Sequence, residues 1–239
     1  MRRLFYTQAC YYYEIIKKRF WGLTGTYLII AIGYFGRLPR RKSLLAAILT
    51  GPDFEAAKQG YAYLPPFWLM IMILPAFIIG DSFGAIQAEL FSKAKGLGFS
   101  KREFGLNNLV LITATNLCYL ATILIALLMV DLTTTEAQGF IQSGWLTSYQ
   151  DLGLRLFLIL MLLSLIQQIC GWLNRVLLLL VPIVALVYTD FTVAMWNPLN
   201  LVLWPRMRLI GNEIVTLTIV GCLVLAIGYG YVYGKYELK

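Results

Sequence analysis

GLNNLVLITATNLCYLATILIALLMV, residues 105–130, runs without one charged side chain. A helix needs about 20 predominantly apolar residues to cross a hydrocarbon core about 30 Å thick, because lipid offers no partner for a backbone N–H or C=O. This run is long enough to cross. Working outward from it, five more apolar stretches are expected to do the same, at 21–36, 63–84, 152–172, 176–195 and 214–233. Pro75 and Pro182 fall inside the second and fifth spans. Each removes a backbone donor, so a kink is expected there. The composition agrees, with 59% hydrophobic and 13% charged residues and a mean hydropathy of +0.72. Both fractions lie far outside those of an ordinary soluble domain. The expected fold is all-α, a polytopic membrane protein in which residues 1–239 form a single transmembrane domain.

The formal net charge is +8. Lys and Arg gather beside the apolar spans and make no basic domain, so the charge reads as membrane orientation and no nucleic acid is expected as a partner. Arg2, Arg3, Lys17, Lys18 and Arg19 precede the first span, Lys93, Lys95, Lys101 and Arg102 lie between the second and third, Arg175 lies between the fourth and fifth, and Lys235 and Lys239 follow the sixth. Six spans place both termini on one side, and the positive-inside rule makes that side cytoplasmic. Residues 37–60 disobey, with Arg37, Arg40, Arg41, Lys42 and Lys58 in a loop that parity places outside. Its apolar piece 43–50 is too short to span and is expected to lie in the interface. The alternative is a topology in which the first apolar run lies flat.

In residues 2–20, Leu4, Phe5, Cys10, Tyr11, Tyr12, Ile15, Ile16 and Phe20 alternate with charged residues at roughly helical spacing. An amphipathic interfacial helix over residues 1–20 is expected, its aromatic face toward the acyl chains. No small-residue cleavage pattern follows, so the segment reads as mature protein. The chain has no His, which removes the commonest metal ligand and the commonest general base at neutral pH. Cys10, Cys118, Cys170 and Cys222 are far apart and read as apolar fillers, with neither metal nor disulfide expected.

Between the second and third spans the text changes to Gly80-Asp81-Ser82-Phe83-Gly84, then a short polar helix, then Gly98-Phe99-Ser100-Lys101-Arg102. With six spans and an amphipathic amino-terminal helix, this arrangement resembles the permease subunit of type 2 ATP-binding-cassette exporters of the Gram-positive kind. In such permeases an acidic residue, a small residue, a short helix and a Gly-[Phe/Ile/Val]-Ser-basic-basic turn connect these spans. The letter-level match covers residues 75–108, and the architecture extends it to nearly the whole chain.

The resemblance implies a cytoplasmic coupling helix over residues 85–96, within a coupling region 85–98, seated in a cleft of a separate ATPase subunit. Ile86, Leu90 and Phe91 would supply an apolar knob, and Glu89, Lys93 and Lys95 a charged rim. Gly96 and Gly98 would end the helix. No G-x-x-x-x-G-K-[ST] occurs here, so ATP and Mg would be bound by the partner and this chain would not itself be an enzyme. The implied assembly pairs two permeases, identical or homologous, with two ATPases. The implied cargo is an amphipathic peptide, a bacteriocin or a toxin. The plainer reading of residues 85–98 is a solvated positive loop that fixes orientation.

An unpaired Asp costs about 2.5–3.5 kcal/mol at the bilayer centre and less at the interface. Asp81 is therefore read either as an interface residue or as an ion-pair partner of Lys101, Arg102 or a basic residue of the amino-terminal helix, locking the coupling segment to the bundle. Asn107, Asn108, Asn116, Gln167, Gln168 and Asn174 read as hydrogen-bonding glue between helices. Breakers and aromatics over 190–213 point to an interfacial loop, and the resemblance implies a re-entrant piece there as the alternative. Two other functional classes stand beside the exporter: a lipid-modifying membrane enzyme, for which no acidic or nucleophilic constellation is present, and a non-transporting partner such as an immunity protein.

Overall fold

The structure, a computed structural model, describes residues 2–36, 43–61, 63–96, 100–134, 142 and 144–235, and excludes the side chains of 2, 91–96, 234 and 235. Every regular element among the described residues is helical. In chain order they are α1 (Arg2–Phe35), α2 (Leu44–Ile48), α3 (Phe54–Lys58), α4 (Pro66–Ile79), α5 (Ser82–Gly96), α6 (Lys101–Thr134), α7 (Trp145–Leu173), α8 (Leu177–Phe191), a 3-10 helix (Pro198–Val202), α9 (Trp204–Met207) and α10 (Asn212–Lys235).

Among the described residues four helical stretches are long and apolar enough to cross a membrane: Pro66–Leu90, Lys101–Thr134, Trp145–Leu173 and Asn212–Tyr233. At 1.5 Å per residue the shortest reaches about 33 Å. The chain is thus built as a multi-pass membrane protein. Of the six spans expected from the sequence, these four meet that length and polarity among the described residues, whereas α8 has 15 residues, about 22 Å, and the apolar half of α1 follows a charged half without a break.

The helix expected at residues 1–20 does not end there. It continues straight into the first apolar run as one helix of 34 residues. Leu4, Gln8, Tyr12, Ile16, Phe20, Thr24, Tyr27 and Ala31 are all buried along it. A spacing of three or four residues makes one stripe, and α1 lays it against α6, α4 and α5. Tyr12 and Phe20 face protein, whereas Tyr6, Tyr13 and Trp21 are exposed.

Pro75 does not interrupt α4. Its missing N–H leaves the Ile71 carbonyl without a helical donor, and the Tyr119 hydroxyl of α6 donates there at 2.9 Å. The break comes instead at Gly80, whose φ of 45° lies in the left-handed region that glycine adopts freely. Ser100 begins α6 earlier than expected. Its hydroxyl accepts from the Glu103 N–H at 3.2 Å, and its own N–H donates to Glu103 Oε2 at 2.9 Å, a reciprocal capping box.

Residues 43–50 are not an interfacial strip. Leu44, Leu45, Ala46, Ile48 and Leu49 are buried, because α2 plugs one end of the bundle against α6, α1 and α7. The Leu44 N–H donates to Asp131 Oδ2 at 2.7 Å, and the Tyr149 hydroxyl donates to the same oxygen at 2.9 Å. Lys42, which bears on the disobedient loop, lies outside the described residues.

Candidate partner-binding site

The Gly80 break turns the chain from α4 into α5 and sets the polar helix at the bundle end where α1 begins. Phe83, Ile86 and Leu90 recur at three and four residues and so share one face. Phe83 stacks on Tyr12 of α1 with ring centroids 4.9 Å apart, Ile86 is fully buried, and Leu90 packs partly buried against the same core. Burying Phe83 and Ile86 contributes about 1.5–3 kcal/mol each.

This placement corrects the role expected of Ile86, since an apolar knob for a partner cannot be a residue already enclosed by its own chain. What α5 leaves exposed is a low face of Gly84, Ala85, Ala88 and Glu89. The backbone of α5 carries Phe91, Lys93 and Lys95, whose side chains lie outside the described part, and Gly98 lies outside the described residues altogether. The helix runs to Gly96.

Asp81 meets the amino-terminal helix. Its Oδ1 lies 3.6 Å from Arg19 Nη1, with side chains 62% and 45% exposed. An ion pair this open to water contributes little, about 0–1 kcal/mol. Lys101 and Arg102 occupy the first turn of α6, Lys101 half-buried and Arg102 exposed. The lock from α5 to the bundle therefore resides in Phe83 and Ile86 more than in charge.

The buried amides do bond between helices. Gln8 of α1 donates to Asn108 Oδ1 and accepts from Asn107 Nδ2 at 3.1 Å, while Asn108 Nδ2 donates to the Tyr229 hydroxyl at 3.2 Å. One network thus ties α1, α6 and α10. Asn116 Nδ2 donates to Ser164 Oγ at 3.0 Å and Gln167 Nε2 to the Ala76 carbonyl at 2.7 Å, joining α6 to α7 and α7 to α4. Asn174 differs, accepting from the Val176 N–H at 2.9 Å within the turn before α8.

A second polar centre, which sequence reasoning missed, lies at the opposite end. Arg206 is fully buried. Its Nε donates to the Pro52 carbonyl at 2.8 Å, Nη1 to the carbonyls of Thr189 at 2.6 Å and Thr192 at 3.1 Å and to Asn200 Oδ1 at 2.9 Å, and Nη2 to the Asp190 carbonyl at 2.9 Å. The Phe54 ring lies under the guanidinium, 5.0 Å from its centroid. Burial pulls the Arg206 pKa down from the usual guanidinium value, and the negative charges of Asp190 and Asp53 oppose that. The segment 190–213 therefore folds back as a tethered cap: Leu199, Leu201, Val202 and Leu203 are buried against the bundle, and the Trp204 N–H donates to the Leu49 carbonyl at 2.9 Å. Both Asp190 carboxylate oxygens are buried without a hydrogen-bond partner.

All four cysteines are free thiols. Among the described residues no three His, Cys, Asp or Glu side chains gather as metal ligands. No family model, no curated protein and no solved structure matches the chain.

Proposed function

We propose that this chain is the membrane-spanning subunit of an ATP-driven exporter, with ATP and Mg handled by separate ATPase subunits and a second permease completing the path. The observation that supports it best is α5: a helix of 15 residues, exposing Glu89 on its outer side, set off from α4 by a glycine in the left-handed region and fastened by its apolar face to α1. A merely solvated loop needs no such anchorage. A helix that must receive force from a neighbour does, because a displaced lever has to move what it is attached to.

In this reading α1 and α8 complete six passes, and the end of the bundle bearing Arg19, α5 and Arg175 is cytoplasmic in a bacterial plasma membrane. ATP binding closes the partner subunits, α5 is displaced with them, and Phe83 and Ile86 pass the displacement to α1. The cargo that fits the resemblance is an amphipathic peptide, bacteriocin or toxin.

The test is isolation of the native assembly through a tag on this chain, followed by an ATPase assay. An ATPase should copurify, and should be lost when the exposed face of α5 is altered by Ala85→Arg with Ala88→Arg while the helical content and unfolding midpoint of the chain are kept. Isolation of the folded chain with no ATPase would leave the non-transporting membrane partner as the better reading.

A further inference from the structure

Where α1, α4 and α8 meet near Gly80, they part to leave a cleft of about 450 Å³. Its rim carries Arg19, Asp81 and Arg175, and its deeper walls are Leu23 of α1, Phe77 of α4 and Leu179 of α8. Two guanidinium groups against one carboxylate leave the rim net positive. The Arg19–Asp81 contact is 3.6 Å and largely exposed, so Arg19 is not consumed by it. A Cβ at Gly80 would stand 3.0 Å from Arg19 Nη1, so the guanidinium lies over bare backbone.

Depth makes this cleft selective. α4 ends at Ile79 and α8 begins at Leu177, so the rim sits where apolar helix surface gives way to charge, the change that marks headgroup level in a membrane. A ligand that satisfies both parts has an anionic phosphate above and a hydrocarbon chain below. Arg suits phosphate because its planar fork presents paired donors, and basic pockets between membrane helices recognise anionic headgroups in this way.

We propose that this cleft binds an anionic phospholipid, its phosphodiester between Arg19 and Arg175 and one acyl chain along Leu23, Phe77 and Leu179. The proposal rests on the chain lying in a membrane and is independent of the exporter reading.

Native mass spectrometry of the full chain in mild detergent, supplied with dioleoyl phosphatidylglycerol or dioleoyl phosphatidylcholine, tests it. The anionic lipid should be retained about fivefold more strongly, the ratio expected for one net positive charge worth about 1 kcal/mol near a membrane. Arg19→Gln with Arg175→Gln should abolish that preference, and Leu179→Trp, which fills the floor and leaves the rim, should lower retention of both lipids. Millimolar glycerol phosphate should displace neither.

Equal retention of the two lipids by the unaltered chain overturns the proposal without recourse to any variant. So does a preference that survives in the folded double variant, unchanged retention in Leu179→Trp, or displacement by glycerol phosphate, which would make the ligand a free headgroup.

Discussion

At Ile71 the carbonyl that Pro75 leaves without a helical donor is served by Tyr119. Tyr119→Phe keeps the ring and removes only the hydroxyl, stranding a buried acceptor, and should cost about 1–2 kcal/mol in equilibrium unfolding in mixed micelles. An unchanged midpoint would show that the carbonyl finds another donor. Arg206 is the larger case, since one side chain satisfies four backbone carbonyls and the Asn200 amide oxygen. Arg206→Met should lose about 3–5 kcal/mol in the same measurement. Arg206→Lys, which keeps the charge but loses the planar fork, should recover only a minor part of that loss. A loss below about 1 kcal/mol for Arg206→Met would mean that the cap is held by its buried leucines alone. Neither partnership is legible in the sequence. A backbone carbonyl acceptor leaves no letter of its own, so Arg206 reads there as one more loop cation.

Among the elements, α5 separates residues that act on their own chain from those that face outward. Ile86→Ala empties an enclosed site and should cost about 2–4 kcal/mol of stability. Under the proposed function, Glu89→Lys with Lys93→Glu should leave stability within about 0.5 kcal/mol yet lower stimulation of a copurifying ATPase. Stimulation unchanged in the folded double variant would count against the coupling role proposed for α5. The position of α5 between two apolar helices was legible from its polarity and flanking glycines. Its inward face was not, because the same apolar residues serve a partner's cleft or the chain's own core. α1 teaches the same lesson: the spacing of its apolar and aromatic residues was plain, but lipid and protein are equally apolar covers, so spacing alone did not choose between them. The start of α6 could have been found, since Ser100 and Glu103 stand at capping-box spacing.

For the molecule as a whole, the multi-pass character follows from apolar run length alone, whereas the number of crossings depends on α1 and α8, whose lengths and charges fall near the limit. Single cysteines placed in a background with the four native ones replaced resolve orientation. An impermeant thiol reagent added to intact cells should modify Thr134→Cys, at the exposed end of α6, and spare Ser92→Cys on α5; the reverse pattern would invert the bundle and remove α5 from any cytoplasmic partner. Lys42→Cys in the same assay reports the side on which the basic loop lies. One consequence follows from α1 being a single rod of 34 residues, about 51 Å long, with no proline in it. It touches α5 through Tyr12 and, further along, the plug formed by α2. A stiff beam clamped at two stations cannot tilt at one and stay still at the other, so any push on the polar helix must arrive, at the other end of the bundle, as a shift of the stopper that Asp131 keeps seated.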